Sequence, residues 1–262
     1  SYLWDFGDGA TSTDPSPSHT YINTSFFLDI RTVTLTAFSP AGCQSTVTQQ
    51  ITVYPTPEFT FVATPDSGCS PLTVTFPSVV GAVSYAWDYG DGTSGTGPSP
   101  THTYYNTTTN DQVFVVTLVG ANAFGCVDTT TAEVRVFPVP TAHFELSDSV
   151  GCHPLAVDIT NLSTGADQFT WDYGDGLYSD TTEAVHQHVW NNFAGPDASQ
   201  FTVELTAITD RGCTSTASRS VTVYPQVIAA FVSDTVGCAP LPVQFDNVST
   251  GANSYAWTFG DG

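Results

Sequence analysis

The sequence predicts an all-β chain built as a tandem array of antiparallel β-sandwiches, and three observations carry that prediction. One phrase recurs four times at a period near 84 residues, beginning at Trp4, Trp87, Trp171 and Trp257. Apolar and polar residues alternate within a unit: Phe201, Val203 and Leu205 face one way and Thr202, Glu204 and Thr206 the other, the period of two that a half-buried strand requires. Clusters of Gly, Pro, Asn and Asp interrupt such runs about every 8 to 12 residues, as short sandwich strands demand, and helical periodicity is absent.

Taken in order, the chain opens inside a unit, with Ser1-Tyr2-Leu3 leading into Trp4-Asp5-Phe6-Gly7-Asp8-Gly9. The phrase returns at Trp87 to Gly92 and Trp171 to Gly176, and closes the chain as Trp257-Thr258-Phe259-Gly260-Asp261-Gly262. Two further phrases keep step, Pro-Leu-x-Val at Pro71, Pro154 and Pro240 and Gly-Cys at Gly42, Gly125 and Gly212. Proline-rich joints at Tyr54-Pro55-Thr56-Pro57, Phe137-Pro138-Val139-Pro140 and Tyr224-Pro225-Gln226-Val227 separate the units. Proline fixes φ and extends its predecessor, so these read as short, stiff connectors. The expected divisions are a partial domain at 1–54, complete domains at 55–137 and 138–224, and a partial domain at 225–262. Together they read as a rod-like window on a longer chain, each unit adding about 30 Å.

Composition narrows the function. Four Lys+Arg, all arginine, against 25 Asp+Glu give a net charge of −21, which leaves nothing from which to build a phosphate-seeking face and excludes nucleic acid as a partner. Hydrophobic residues at 40% and aromatics at 13% are enough for packed cores. No apolar run is long enough to span a bilayer. Nor is there a Ser/His/Asp ordering, a phosphate loop or a two-histidine zinc helix, so no enzyme activity is expected.

Trp87-Asp88-Tyr89-Gly90-Asp91-Gly92, followed by Pro100-Thr101-His102-Thr103-Tyr104 and the strand from Phe114 to Val119, resembles the polycystic kidney disease (PKD) repeat, and the likeness extends along the whole chain. It implies an immunoglobulin-like sandwich in each unit, in which Trp4, Trp87, Trp171 and Trp257 plug the space between two sheets. By the same resemblance Tyr104 caps backbone groups at a strand corner, with His19 and His188 in equivalent places. The chain departs from the pattern at Thr258, at Trp190 where Tyr21 and Tyr104 stand elsewhere, and at Arg31 in the inward position of Phe201. The Gly-Cys-x-Pro-Leu opening is similar to PKD arrays in giant surface proteins of the Bacteroidota.

Paired carboxylates three residues apart, Asp5 with Asp8, Asp88 with Asp91 and Asp172 with Asp175, flank a glycine and suit a hard cation such as Ca²⁺. The alternative is that the aspartates hold the turn by accepting backbone amides, since only two of the six or more oxygens a calcium needs are visible. No other cofactor is implied.

Six cysteines in a chain without lysine or methionine point to an oxidising, extracellular compartment. In the immunoglobulin topology that the resemblance implies, Cys69 and Cys152 lie at one end of a domain and Cys43, Cys126 and Cys213 at the other. End-to-end stacking would then join Cys69 to Cys213 of the next domain, with Cys43, Cys126, Cys152 and Cys238 paired outside this window. Pairing within a domain, Cys69 with Cys126 and Cys152 with Cys213, is the alternative, although it must span most of a strand.

Asn-x-Ser/Thr sequons at Asn23, Asn106, Asn161 and Asn247 are candidate glycosylation sites. Ser149 and Thr235, in Asp-Ser/Thr-apolar triplets, resemble the O-linked sites of Bacteroidota. The function expected is the repeat region of a long extracellular adhesin stalk or surface filament, partnered by neighbouring copies of the repeat, by other chains of a filament and by a protein or polysaccharide target. The alternative is a set of calcium- or polysaccharide-binding accessory modules of a secreted hydrolase.

Overall fold

A computed structural model describes residues 1–25, 27–193 and 197–260; Asp261 and Gly262, which end the fourth Trp phrase, lie outside the described residues. The chain divides into two compact units, Ser1–Phe137 and Pro138–Gly262. Among the described residues every regular element is a strand, and no helix is long and apolar enough to cross a membrane.

The first unit begins with a four-stranded antiparallel sheet in the order Thr11–Ser12, Tyr2–Asp5, Asp29–Phe38, Gln44–Val53. A five-stranded sheet follows, in the order Ser67–Cys69, Val127–Phe137, Gln112–Ala121, Ser84–Asp88, Ser94–Thr96. Its pairings are antiparallel except the first, where Ser67–Cys69 runs parallel to Val127–Phe137. Leu72–Thr75 pairs with Thr101–Tyr104 and supplies residues to the opposite side of the core. Alternation places Val116 and Leu118 inward and fully buried, while Val113, Val115 and Val119 stay exposed. Trp87 is 2% exposed and meets Phe61 edge-on at 5.0 Å and Phe76 at 5.2 Å. Burying an indole of that size stabilises the sandwich by about 4 to 6 kcal/mol in area terms.

The second unit repeats the plan. Its five-stranded sheet runs Val150–Cys152, Thr214–Tyr224, Ser199–Ile208, Gln168–Asp172, Tyr178–Ser179, with the first pairing again parallel. A three-stranded sheet of Phe144–Leu146, Leu155–Asn161 and Val185–Trp190 faces it. Phe144, Val157, Ile159, Trp171, Trp190, Val203, Leu205, Val221 and Val223 fill the space between. Beyond Tyr224, Phe231–Ser233 and Phe245–Asn247 form a two-stranded sheet.

The four tryptophans of the recurring phrase do not share one environment. Trp87 and Trp171 are buried plugs, Trp4 is half-buried and Trp257 is 40% exposed. Trp257 packs against Phe231 and Phe245, which the strands Phe231–Ser233 and Phe245–Asn247 supply.

Candidate functional site

The acidic turns are the most elaborate recurring construction in the chain. After the strand Ser84–Asp88 the backbone must reverse tightly. Asp88 Oδ1 accepts the Gly90 amide at 2.9 Å, and Gly90 takes φ 78°, a left-handed conformation that costs a residue with a Cβ about 1 to 2 kcal/mol. Asp91 Oδ1 then accepts the Thr93 amide at 3.0 Å and the Thr93 hydroxyl at 2.6 Å. The other oxygen, Oδ2, lies 2.7 Å from Nε2 of His102, which the strand Thr101–Tyr104 brings across. The imidazole stacks on Tyr89 at 4.1 Å, 3° from parallel, and the Tyr104 hydroxyl donates to the Tyr89 carbonyl at 3.0 Å. Turn, strand corner and core are thereby tied into one body.

The same set is built twice more. Asp5 accepts the Gly7 amide and Asp8 the Ala10 amide; His19 stands 2.6 Å from Asp8 and stacks on Phe6, whose carbonyl accepts the Tyr21 hydroxyl. Asp172 accepts the Gly174 amide and Asp175 the Leu177 amide; His188 stands 2.8 Å from Asp175 and stacks on Tyr173 at 3.8 Å. There the donor to the Tyr173 carbonyl is the Trp190 indole Nε1, at 2.9 Å. The aromatic departure at Trp190 therefore preserves the bond with a different donor. Arg31 likewise has work in its unusual position, donating to Asp29 and to the Gly7 carbonyl.

The electrostatics follow from these contacts. The His19 hydrogen bond, helped by the Ala10 amide, holds the Asp8 carboxyl below its ordinary value. Burial pushes Asp91 up, but hydrogen bonds from Thr93 and His102 more than reverse this and leave it lowered. Burial raises the Tyr104 phenol well above its usual value, so it stays protonated and donates. His186, two residues before His188, is pushed down chiefly by burial; neither of its ring nitrogens has a partner, nor has the indole nitrogen of Trp171, 4.8 Å away between ring centres.

The carboxylates considered for calcium are thus engaged in other work. The six aspartates spend an oxygen each on backbone amides, and Asp8, Asp91 and Asp175 spend the second on imidazoles. Among the described residues no three His, Cys, Asp or Glu side chains come together in an arrangement able to hold a metal ion. The residues present do not fit a cation that takes six to eight oxygens.

Two of the sequon asparagines have structural duties. Asn106 is 5% exposed, and its amide nitrogen donates to the carbonyls of Asn110 and Val136 while its oxygen accepts the Thr108 amide. A glycan cannot be attached to a nitrogen so enclosed, so the glycosylation expectation for Asn106 is corrected. Asn23 makes the matching bonds to Phe27 and Val53, and Asn192, which is not in a sequon, makes them to Asp197 and Val223. The signal was present as an asparagine two residues after Tyr21, Tyr104 and Trp190. Asn161 accepts the Ser163 amide, Asn247 is exposed and accepts the Ser249 amide, and Ser149 and Thr235 are exposed.

Cys69 and Cys213 are disulfide-bonded, while Cys43, Cys126, Cys152 and Cys238 carry free thiols. The pairings of Cys69 with Cys126 and of Cys152 with Cys213 are therefore not formed. Cys69 ends the strand Ser67–Cys69, and Cys213 lies buried in the turn before Thr214–Tyr224, where its amide donates to Thr209 Oγ1.

A family model described as PKD domain matches residues 1–53 and 55–136, just over half of the chain. Among solved structures, the PKD1 domain of Vibrio anguillarum Epp is 30% identical, with 34% of this chain and 96% of that chain covered and a TM-score of 0.26. The PKD1 domain of the Vibrio cholerae metalloprotease PrtV is 27% identical, covering 33% and 98%, with a TM-score of 0.26. The fibronectin(III)-like modules of Clostridium thermocellum CbhA are 13% identical over 64% of this chain and 94% of theirs, at a TM-score of 0.33.

Proposed function

Because the chain belongs to the PKD domain family, whose members are generally extracellular structural or accessory modules and typically non-catalytic, we propose that it is a stretch of the shaft of a long cell-surface adhesin or filament. One observation carries this reading: the polar residues that recur at each Asp-x-x-Asp turn are consumed in holding the fold, with both aspartates bonded inward to amides and the second also to a histidine. Groups committed in that way serve rigidity, whereas a binding or catalytic site keeps some of them turned toward a ligand.

The clasp belongs to the same reading. We place the bond between Cys69 and Cys213, joining the domain at 55–137 to the one at 138–224, where it would resist bending and pulling; the two cysteines are the bonded ones of the six. Peptide mapping of the non-reduced chain tests it, with a linked pair of peptides carrying Cys69 and Cys213 expected and a Cys69–Cys126 link overturning it. Negative-stain electron micrographs test the shaft. Successive domains should keep one bend angle, and the spread should widen on reduction. Domains that swivel freely before reduction, together with saturable binding to a polysaccharide, would favour the accessory-module reading.

A further inference from the structure

The turn that joins Gln112–Ala121 to Val127–Phe137 closes in the same manner as its counterparts after Asp29–Phe38 and Ser199–Ile208. In each, a polar side chain at the first turn position accepts the amide of the cysteine four residues on: Ser39 for Cys43, Asn122 for Cys126 and Thr209 for Cys213. The backbone bonds match as well, with the Gly42, Gly125 and Gly212 amides donating to the carbonyls of Ser39, Asn122 and Thr209. Turn closure therefore needs an acceptor, which a hydroxyl supplies in two of the three turns. Asn122 carries an amide donor that the turn does not use.

That donor goes to the connector: Asn122 Nδ2 bonds the Pro55 carbonyl at 3.2 Å. The connector is poor in its own resources, because Pro55 and Pro57 have no N–H and extended backbone needs outside partners. Two further ties converge on it from the same hairpin. The Tyr54 ring stacks on Phe124, at the tip of the turn, with centroids 4.6 Å apart and planes 17° from parallel. Asp128 Oδ2, just past the turn, accepts the Phe59 amide at 2.7 Å. The segment from Tyr54 to Phe59 is thus held at its start, near its middle and at its end by one rigid hairpin.

We propose that Asn122 is a positioning residue for the joint: with the Tyr54–Phe124 stack it fixes the direction in which the strand Gln44–Val53 enters the sandwich that follows. The joint is set by side chains of the downstream turn as well as by the prolines. The inference rests on the shaft reading for its purpose, and its geometry stands apart from the cysteines.

The test uses the whole chain and the variants N122T, F124A and the double variant, with residual dipolar couplings measured for amides of Asp29–Val53 and of Gln112–Phe137. N122T keeps an acceptor for the Cys126 amide, as Thr209 does for Cys213 in its own turn, and gives up the donor to Pro55 together with the bond from the Phe124 amide. In the parent one alignment tensor should fit both sets of amides. In the double variant the common tensor should be lost and two should be needed, with N122T intermediate and hydrogen-exchange protection of Gln112–Phe137 unchanged. A single shared tensor in the double variant overturns the inference and leaves the shaft reading to its micrographs. Should F124A weaken protection of the hairpin, N122T alone decides, and a tensor identical to that of the parent would overturn the proposal.

Discussion

Replacing Tyr104 by Phe isolates the bond that ties the strand corner to the turn. The ring is fully buried, stacks on Phe114 at 4.7 Å and meets His102 edge-on, and Phe keeps all of that packing. What is lost is the hydroxyl donated to the Tyr89 carbonyl, whose residue is itself buried. A buried acceptor left without its partner costs about 1 to 3 kcal/mol, and no cavity of consequence adds to it. Native-state hydrogen exchange on the intact chain reads the sandwiches separately. Slowly exchanging amides of Gln112–Phe137 should lose about 1 to 3 kcal/mol of protection, while those of Ser199–Tyr224, where Trp190 supplies the bond, should keep theirs. Unchanged protection in Gln112–Phe137, or an equal loss in both regions, would refute the reasoning.

Gly90→Ala should destabilise its sandwich well beyond Gly92→Ala in urea titrations: both positions have positive φ, but a Cβ on residue 90 would lie 2.5 Å from the Val115 carbonyl oxygen, whereas one on residue 92 meets nothing within 4 Å. Acid should unsettle the sandwich at 138–224 more than its neighbour. The His186 value is depressed in the folded state, so its contribution is whole above the ordinary histidine value near 6.5 and is lost as the pH falls from there through the folded value. Hydrogen exchange at pH 7 and pH 5 should show the difference, and H186F should erase it. Trypsin should cut first after Arg211, which lies in a turn, because Arg31, Arg135 and Arg219 lie within strands; mass spectrometry of reduced products would show a break after residue 211, and a first cut at any strand arginine would count against it.

The fold was legible because its signals are local or periodic. The alternation through Phe201, Val203 and Leu205 is a direct image of a pleated strand with one buried face, and the Trp phrase marks where a large ring must be covered. The site was half legible. An aspartate holding a tight turn is local chemistry, and the amide bonds of Asp88 and Asp91 follow from it. The second oxygen of Asp91 goes to His102, eleven residues away, and only tertiary placement of the strand Thr101–Tyr104 brings the two together. Asn106 was hidden for a different reason: its sequon invited a surface reading, while the carbonyl it serves, on Val136, is thirty residues distant in sequence.

The parallel pairing at the margin of each five-stranded sheet bears on how such a molecule fails. Ser67–Cys69 lies alongside Arg135–Phe137, and Val150–Cys152 alongside Thr222–Tyr224, so an early strand and the last strand of a sandwich run side by side in the same direction. Once the disulfide at Cys69 is reduced, tension applied at opposite ends of a sandwich pulls these two strands lengthwise past each other, and the bonds between them must shear as a group. Peeling, which snaps one rung after another, is denied by that geometry. A hawser made of such links would yield abruptly and late, at a threshold set by a seam three residues long.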